Sequence, residues 1–290
     1  MNLAIIANPE KYSVKEPFVK TLKWADKHKA QVFFSRVLQK LYDGRDHRSS
    51  HVTESEEKAI DKADIIIAMG GDGTMLYVAR LIRDIHKPIL GVNSGRLGFM
   101  ANTQKENLVE ALNHLKEENY SLKERYLLQA ENSEGQRFHA LNEFLFSKRG
   151  TTSMITVKAR FDNMFINEYW ADGVIVASPT GSTAYNLSSD GPIVMPNSNV
   201  MVLTPINPHT LTTRPLVLPS DKPLKITVEK QMHEVSFAYD GITCDVDRYP
   251  LEVFIKRSDF SIDLVELPKQ NYFDTLRQKL MWGMDYRQGT

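Results

Sequence analysis

Residues 70–74 combine glycines with one acidic side chain in a way that suits phosphate chemistry. The apolar run 65–69 leads into the sequence Gly70-Gly71-Asp72-Gly73-Thr74. Glycine lets the backbone approach a phosphate closely, and a following helix N-terminus points N–H groups at it. A carboxylate by itself is a poor phosphate ligand, so Asp72 suits a hydroxyl group or a metal ion attached to phosphate. The alternative is a tight turn in which Asp72 caps the helix.

A second polar cluster spans residues 172–188. Asp172 precedes the apolar residues 173–177, and a loop rich in serine and threonine follows them. Such a loop can hydrogen-bond ribose and amide groups without adding charge. The alternative is a helix N-terminus that Ser182 or Thr183 caps.

Asn142 and Glu143 form a polar pair inside an otherwise strand-like run. Neighbouring strand residues point to opposite faces, so the pair is either the end of a strand or faces a ligand. The amide of asparagine offers a donor and an acceptor, which suits the edge of a nucleobase, and glutamate accepts from hydroxyl groups. Taken alone, the solvated strand end is the favoured interpretation.

Strands and helices must alternate around the first motif. The run 65–69 predicts a strand buried on both faces, and apolar residues from Met75 to Ile85 recur at helical spacing. Another strand leads into the glycine-rich loop Asn93–Phe99, which could form the second wall of a crevice beside Asp72. We therefore predict a three-layer α/β domain over residues 1–122.

The pattern changes over residues 123–267, where short β-rich runs are separated by turns and no long segment has helical spacing. We predict an all-β, sandwich-like domain there. In the tail, residues 268–290, Phe273, Leu276 and Leu280 return to helical spacing. We expect this C-terminal helix to pack back on the first domain or on another subunit.

Smaller polar segments allow two further predictions. Asp43, His47 and His51 could be imagined as metal ligands, but we favour a solvated loop because no apolar frame surrounds them. Thr53 and Glu56 have the spacing of a capping box and predict a short helix after them.

The bulk composition excludes several classes of protein. The 290 residues carry 36 basic and 36 acidic side chains, so no global basic field favours nucleic acid. Cys244 is the single cysteine, which rules out an internal disulfide and suits a reducing compartment. We expect no signal peptide and no membrane span, hence a soluble cytoplasmic protein.

In order and approximate spacing, the motifs resemble those of the NAD kinases. They are Gly70–Thr74, Asn93–Phe99, Asn142-Glu143, Asp172-Gly173, residues 179–185 and Asp240-Gly241. The first is also similar to a motif of diacylglycerol-type lipid kinases and 6-phosphofructokinases, but the second motifs of those families are missing. A lipid or sugar kinase and a non-catalytic NAD sensor are the alternatives.

The resemblance implies that phosphate passes from ATP, or from polyphosphate, to the 2′-hydroxyl of the adenosine ribose of NAD. It implies that Asp72 acts near that hydroxyl as proton acceptor or orienting group, that Mg²⁺ arrives with the nucleotide, and that the chain forms homodimers or homotetramers. Phosphate would be bound at Gly70, Gly71, Gly73 and Thr74. The NAD site would be lined by Gly73, Phe99, Asn142, Glu143, Asp172, Thr183, Ala184, Tyr185, Asn186, Ser188 and Asp240.

Two positions depart from the family pattern. Many members have arginine two residues before the position of Asp172, where this chain has Trp170. A tryptophan offers a stacking surface instead of a charge. Asp190 stands where glycine is expected, and aspartate adopts a positive φ less easily than glycine does.

Overall fold

In the computed structural model of the chain, the described residues are 1–42, 47–82, 85–95, 97–230, 232, 234–246, 248–281 and 283. The chain divides into two compact units. Unit 1 comprises residues 1–124 and 262–290, and unit 2 comprises residues 125–261.

The first part of the chain alternates strands with helices. The strands are β1 Asn2–Ala7, β2 Gln31–Ser35, β3 Ser50–Thr53, β4 Ile65–Gly70, β5 Ile89–Asn93 and β6 Thr103–Gln104. The helices are α1 Lys15–His28, α2 Glu56–Lys62, α3 Asp72–Leu81 and α4 Leu108–Lys116.

The rest of the chain is mainly strand. The strands are β7 Ser121–Asn132, β8 Arg137–Ala140, β9 Glu143–Lys148, β10 Ile155–Phe161, β11 Met164–Ala171, β12 Gly173–Ala177, β13 Val200–Ile206, β14 Leu216–Pro219, β15 Leu224–Val228, β16 Val235–Tyr239, β17 Ile242–Cys244 and β18 Leu251–Glu266. The helices are α5 Tyr185–Ser188 and α6 Tyr272–Leu280.

The central sheet of unit 1 is parallel, with the order β3-β2-β1-β4-β5. Strand β1 therefore lies between β2 and β4, and the strand order reverses on either side of the β1–β4 pair. In open α/β sheets, ligands bind outside the carboxyl ends of strands at such a reversal. Ala7, which ends β1, and Gly70, which ends β4, mark this place.

Helices cover both faces of that sheet. Leu3, Ile5 and Ile67 share one core with residues of α1 and α4. Their neighbours along the strands, such as Ala4 and Ile6, are also buried and point to the opposite face, and α2 and α3 contact these same strands. The predicted three-layer α/β architecture is confirmed.

Helix α2 begins differently from the prediction, which had Thr53 and Glu56 as a capping box. The N-cap is Ser55, whose Oγ accepts from the N–H of Lys58 at 3.3 Å. Thr53 still belongs to β3, opposite Ser35 of β2, and its hydroxyl donates to the carbonyl of Ser55. The strand pairing delays the start of the helix by two residues.

The solvated loop predicted around His47 is wrong at that residue. His47 is buried, and its Nδ1 lies 2.7 Å from Oδ2 of Asp26 on α1. Its ring also packs against the ring of Tyr42. Asp43, the third member of the imagined metal site, lies outside the described residues.

Unit 2 contains two sheets with a common core. One has the order β14-β13-β12-β9-β16-β17, and the other contains β11-β10-β15-β18. Aromatic residues of the first sheet, such as Phe146 and Phe237, pack with aliphatic residues of the second, such as Val157 and Ile226. The predicted sheet-rich domain is confirmed.

Strand β12 is buried on both faces, as its uninterrupted apolar sequence predicts. Val174 and Val176 point into the core of unit 2. Ile175 and Ala177 face the other way and pack in a small cluster that includes Val194. The polar loop that follows β12 therefore lies against the outer face of its own strand.

Helix α6 belongs to unit 1. The side chain of Asn271 caps it by accepting from the N–H of Asp274 at 2.9 Å, and Leu276 is buried. Trp282 and residues 284–290 of the predicted C-terminal segment lie outside the described residues. None of the described helices has the length and apolar character needed to cross a membrane.

Candidate active site

Asp72 is the first residue of α3 but does not cap it, because its carboxylate reaches the loop after β5. Oδ2 accepts from the N–H of Phe99 at 3.0 Å. Oδ1 accepts from the N–H groups of Met100 at 3.0 Å and Ala101 at 3.2 Å. This carboxylate thus joins the two glycine-rich loops of unit 1, the one after β4 and the one after β5. The loop Asn93–Phe99 therefore lies beside Asp72, as predicted.

The parallel pairing of β4 and β5 brings those loops together. Gly70 lies opposite Asn93, so both strands deliver their loops to the same edge of the sheet. Gly98 leaves room for the carboxylate, since a Cβ there would lie 2.2 Å from Oδ1 of Asp72. Arg96 of the same loop lies outside the described residues.

Lys279 is a residue of this site that the sequence analysis missed. Its Nζ lies 3.1 Å from Oδ2 of Asp72 and 4.3 Å from the centre of the Phe99 ring. A signal existed, because Tyr272, Leu276 and Lys279 share one face of α6 at helical spacing. A lysine at the end of an apolar stripe indicates a charged partner.

The pKa of Asp72 is lowered by its hydrogen bonds. Burial alone raises this pKa, but the amide N–H groups of Phe99, Met100 and Ala101, with the charge of Lys279, outweigh it and bring the pKa below its usual value. The carboxylate is therefore ionised at neutral pH.

The glycines before and after Asp72 have different environments. A Cβ at Gly70 would lie 2.1 Å from Oγ1 of Thr74, so glycine permits that close packing. A Cβ at Gly71 or Gly73 would meet no atom within 4 Å. The backbone at the start of α3 is consequently accessible, which is the arrangement that lets a helix N-terminus bind phosphate.

In unit 2, Asp240 organises the Asn142–Glu143 pair. Asp240 and Gly241 have φ of 45° and 80° and form the turn between β16 and β17. The Asp240 carboxylate accepts from the N–H groups of Leu141 and Asn142, both at 2.8 Å, and of Glu143 at 3.2 Å. Strand β9 begins at Glu143, so the pair does lie at the end of a strand. The favoured interpretation of this end as solvated is wrong, because Asn142 is 8% exposed and Oε2 of Glu143 is buried.

The loop after β12 is fixed to the same segment. The Ser178 hydroxyl donates to the carbonyl of Leu141 and accepts from the N–H of Gly181 at 3.1 Å. The Ser178 N–H donates to the carbonyl of Asn142 at 2.8 Å. A Cβ at Gly181 would lie 2.1 Å from that carbonyl oxygen, so glycine is needed for this approach.

Glu143 carries the most perturbed carboxyl group in this part of unit 2. Burial and the charge of Asp240 raise its pKa to about 7, although the N–H of Tyr185 donates to it. Its Oε2 is buried without a hydrogen-bond partner in the described part of the chain. The Tyr185 ring is 43% exposed. A buried acceptor beside an exposed ring suits a ligand that has both hydroxyl groups and an aromatic base.

Asn186, predicted to line the NAD site, is completely buried. Its Nδ2 donates to the carbonyls of Ser182 at 3.0 Å and Pro192 at 3.1 Å. Its Oδ1 accepts from the hydroxyl of Thr204 at 2.6 Å. The side chain therefore positions the loop and does not face a ligand, which composition alone could not distinguish.

The remaining residues of this loop present mixed environments. Thr183 is half-buried and donates to the carbonyl of Thr180 at 3.2 Å, Ala184 is half-buried, and Ser188 is exposed. Asp190 has φ of 61°. The positive φ that made aspartate questionable at this position is confirmed.

Asp172 lies at the start of β12 beside two partners that the sequence analysis missed. Its carboxylate is 2.6 Å from Nζ of Lys148 and accepts from Nδ2 of Asn207 at 3.1 Å. These hydrogen bonds lower its pKa. The nearby Trp170 is 53% exposed, with its ring centre 4.4 Å from that of His209.

The chain matches models of both domains of one enzyme family. The model of the ATP-NAD kinase N-terminal domain matches residues 3–120, and that of the ATP-NAD kinase C-terminal domain matches residues 141–267. Similar proteins include the NAD kinase of Flavobacterium johnsoniae, 39% identical over 88% of this chain and 89% of that protein. The NAD kinase of Bacteroides fragilis is 34% identical over 99% of this chain and 100% of that protein.

Two solved structures have the same fold. Yeast NADH kinase, complexed with NADH, superposes with a TM-score of 0.89 at 22% identity, over 100% of this chain and 90% of that one. An NAD kinase from Archaeoglobus fulgidus, in complex with ATP, gives a TM-score of 0.75 at 24% identity, over 97% and 99% of the two chains. On its sequence and its fold, this chain belongs to the ATP-NAD kinase family.

Proposed function

We propose that the protein transfers the terminal phosphate of ATP to the 2′-hydroxyl of the adenosine ribose of NAD, forming NADP and ADP. The observation that carries this proposal is Asp72, an ionised carboxylate held by three consecutive amides next to the open backbone of Gly73. Such a group can accept a hydrogen bond from a hydroxyl next to bound phosphate.

Asp72 has a full set of partners before substrate binds. A carboxylate offers about four acceptor positions, and three amides and Lys279 occupy them. Lys279 is the partner that can move, because it is a side chain and the others are backbone. We propose that the substrate hydroxyl replaces Lys279, whose ammonium then faces the transferred phosphate.

The lowered pKa makes Asp72 a weak base, so its main contribution is orientation. Phosphoryl transfer depends chiefly on positioning and charge neutralisation. The hydroxyl oxygen forms the new bond to phosphorus as the bond from phosphorus to the ADP oxygen breaks. The hydroxyl proton passes to the Asp72 carboxylate late in the step and then to solvent.

The residues of unit 2 are proposed to bind NAD. Oε2 of Glu143, buried and unpartnered in the described residues, accepts from ribose hydroxyl groups, and Asn142 offers its amide to the edge of a base. Tyr185 supplies an exposed ring for stacking. Asn186 and Asp240 position these groups from behind, because their polar atoms already bind the protein.

A divalent cation, with Mg²⁺ as the expected one, is proposed to arrive with the phosphates of ATP. The described residues contain no group of three or more His, Cys, Asp or Glu side chains able to hold a metal ion. The residues present suit a carried ion, since Mg²⁺ is usually bound through substrate phosphates and few carboxylates. When bound, it supplies charge neutralisation at the transferred phosphate.

We further propose a homodimer or homotetramer that works in the cytoplasm. Met164, Phe165 and Trp170 are exposed apolar residues on β11, an edge strand of its sheet, and such an edge favours self-association. The single cysteine is unpaired, as is usual in reducing compartments. Light scattering of the purified protein gives the oligomer size.

The test of the reaction is an assay of NADP formation. Purified protein is incubated with NAD, ATP and Mg²⁺, and NADP is detected with an NADP-specific dehydrogenase. Asp72→Asn is expected to lower kcat by at least about 10³-fold, with NAD affinity changed by less than about threefold. Asp61→Asn, an exposed acid on α2, is the matched control and should keep full activity.

Two outcomes would contradict the proposal. Normal turnover by Asp72→Asn would remove this residue from the mechanism. NAD binding by the wild type without ATP-dependent NADP would indicate a sensor in place of an enzyme.

A further inference from the structure

A groove of about 580 Å³ runs along the first turns of α1 in unit 1. Residues of α1 and of the turn before α4 line it, on the face of the sheet that these two helices cover. The volume falls within the range of small-molecule sites. The described lining includes no residue of 70–74 and none of unit 2, so the groove is separate from the site proposed above. The lining residues that carry the argument are Ser13, Lys15, Glu16, Lys20 and Lys23.

The walls of the groove are strongly positive. Four lysines line it, and Glu16 is the one acidic residue in its described lining. The chain as a whole has no net charge, so this excess is local. Lys15 and Lys20 are half-buried, and water and salt screen such charges less than those on an open surface. A cleft lined by one sign of charge concentrates ions of the other sign.

Glu16 shows which chemical group these lysines bind. Its Oε1 lies 2.8 Å from Nζ of Lys20, and its Oε2 accepts from Nζ of Lys105 at 2.9 Å. The hydrogen bonds from Lys20 and Lys105 lower the pKa of Glu16 to about 2. One carboxylate balances only one of the four ammonium groups, so the groove keeps an excess of three positive charges.

A small polyanion fits both the charge and the volume of the groove. A lysine ammonium is a point charge without the planar fork of arginine, so it accepts carboxylate and phosphate alike. Val19 adds a half-buried apolar surface that packs against the core of unit 1. A compact molecule with several anionic groups on a short carbon frame would contact both kinds of surface.

Ser13 connects the groove with the loop beside Asp72. Its hydroxyl donates to Oγ of Ser94 at 3.1 Å, and Ser94 is 9% exposed. Ser94 belongs to the loop Asn93–Phe99, and the N–H of Phe99 donates to the Asp72 carboxylate. A hydroxyl has one hydrogen to donate, so Ser13 can serve either Ser94 or an anion in the groove.

We propose that the groove is a regulatory site for a small polyanion with three or more carboxylate or phosphate charges, and that the bound anion draws the Ser13 hydroxyl away from Ser94. The loop Asn93–Phe99 then loses a hydrogen bond that holds it, and turnover falls. Binding of the anion stands on the groove alone, whereas its effect on turnover rests on the proposed function.

Calorimetry with two probes tests the binding. Propane-1,2,3-tricarboxylate and 2,3-bisphosphoglycerate present the two kinds of anionic group, and neither has a phosphoanhydride bond. Each is titrated into protein saturated with ADP and NADP, which keeps it out of the nucleotide sites. Lys20→Glu should weaken binding at least about tenfold, because it reverses a charge inside the groove. Lys27→Glu, at an exposed lysine of the last turn of α1, is the matched control and should weaken it less than about threefold.

Glu16→Gln should act in the opposite direction. Removal of this carboxylate frees Lys20 and Lys105 for the ligand, so binding should become at least about threefold tighter. A variant with a damaged fold would bind more weakly, so tighter binding separates electrostatics from loss of structure. Glu110→Gln, an exposed glutamate of α4, is the control and should leave the affinity unchanged.

The assay of NADP formation tests the regulation, with free Mg²⁺ held constant. A saturating probe should lower the kcat of the wild type at least about threefold and change the KM for ATP less than about twofold, because the probe and ATP bind at different places. Ser13→Ala should bind the probe within about threefold of the wild type but show no inhibition, since it has no hydroxyl to withdraw from Ser94. Ser133→Ala, at an exposed serine of unit 2, should keep the inhibition.

Failure of this inference differs from failure of the proposed function. Equal affinity of the wild type and Lys20→Glu, or no tighter binding by Glu16→Gln, would overturn the anion site. Inhibition that competes with ATP, binding without loss of kcat, or inhibition retained in Ser13→Ala would overturn the regulatory role. Absence of NADP formation by the wild type would overturn the proposed reaction, and calorimetry would still decide the anion site.

Discussion

Asp72 of unit 1 and Asp240 of unit 2 make the same local structure. Each carboxylate accepts from three consecutive backbone N–H groups, those of residues 99–101 for Asp72 and of residues 141–143 for Asp240. In each unit the captured segment lies far away in sequence, so the carboxylate holds one loop against another. Hydrogen bonds to a charged acceptor are strong enough to do so, at about 1.5–3 kcal/mol each.

What differs is the access to each carboxylate. The Asp72 side chain is 27% exposed and has Lys279 as a fourth, movable partner. Asp240 is 9% exposed and lies against Glu143, whose pKa it raises. Under the proposed function, the same three-amide arrangement would serve chemistry at Asp72, where a substrate can replace Lys279, and positioning at Asp240, which is more deeply buried.

Exchanging the two carboxylates for amides is the strongest test of this division. Asp72→Asn should lower kcat by at least about 10³-fold. Asp240→Asn should lower kcat less than about tenfold but raise the KM for NAD at least about tenfold, because residues 141–143 lose their anchor. It should also cost about 3 kcal/mol of stability, which lowers Tm by several degrees. Equal effects of the two variants on kcat would contradict the assignment of different roles to Asp72 and Asp240.

Gly98→Ala tests whether turnover depends on the position of the Asp72 carboxylate, because Gly98 lies in the loop that this carboxylate contacts. The new Cβ would lie 2.2 Å from Oδ1 of Asp72, so the carboxylate must turn away from its amides. We expect kcat to fall about 10²-fold, the effect of displacing a catalytic group by about 1 Å. Gly95→Ala is the control, because its Cβ would approach no atom closer than Asn93 Oδ1 at 4.0 Å. If both alanine variants keep normal turnover, Asp72 does not need this position.

Lys279→Met tests the movable partner. Methionine keeps the packing on Phe99 but removes the charge that lowers the pKa of Asp72. We expect kcat to fall about tenfold and the acidic limb of the kcat/KM profile to move to higher pH. Lys105→Met, whose lysine pairs with Glu16, is the control for loss of one positive charge. A lower KM with unchanged kcat would indicate that Lys279 only competes with substrate.

The sequence predicted Asp72 well because its signal is local. An apolar strand, a glycine-rich turn and a helix stripe follow one another within about twenty residues, and the structure keeps that order. Lys279 is 207 residues away from Asp72 in the chain, so no local pattern connects them. The β5 loop could be placed beside Asp72 only because parallel strands end at one edge.

The roles of residues in unit 2 were harder to predict, because composition does not reveal whether a side chain points into the core or outward. Asn186 and Tyr185 are neighbours in one polar loop, yet one is completely buried and the other has an exposed ring. The buried cluster behind β12, with Ile175 and Val194, decides which of them points inward. The partners of Asp172 are Lys148 and Asn207, which lie on other segments of the chain. Their proximity to Asp172 depends on the strand register, which a single sequence does not reveal.

The pH dependence of Glu143 gives the smallest expected effect and bears directly on Asp240. Burial, together with the charge of Asp240, raises the pKa of Glu143 to about 7, against an ordinary value of 4.5. In the proposed NAD site, ribose hydroxyl groups would bind the ionised form of Glu143, so NAD affinity should rise about threefold between pH 6.5 and 7.5. Calorimetry at those two pH values measures it, and Glu143→Gln should show no such change.

Stability should depend on pH in the opposite sense. Folding raises this pKa, so the folded state holds the proton more tightly than the unfolded state, and stability declines as the pH rises from about 4.5 to about 7. Glu143→Gln should flatten Tm over that window, with Glu110→Gln as the control. Affinity and stability that change in the same direction would mean that the raised pKa of Glu143 does not govern both. Opposite slopes, lost together in Glu143→Gln, would mean that the raised pKa of Glu143 governs both, and weaker slopes in Asp240→Asn would show the part that the charge of Asp240 contributes.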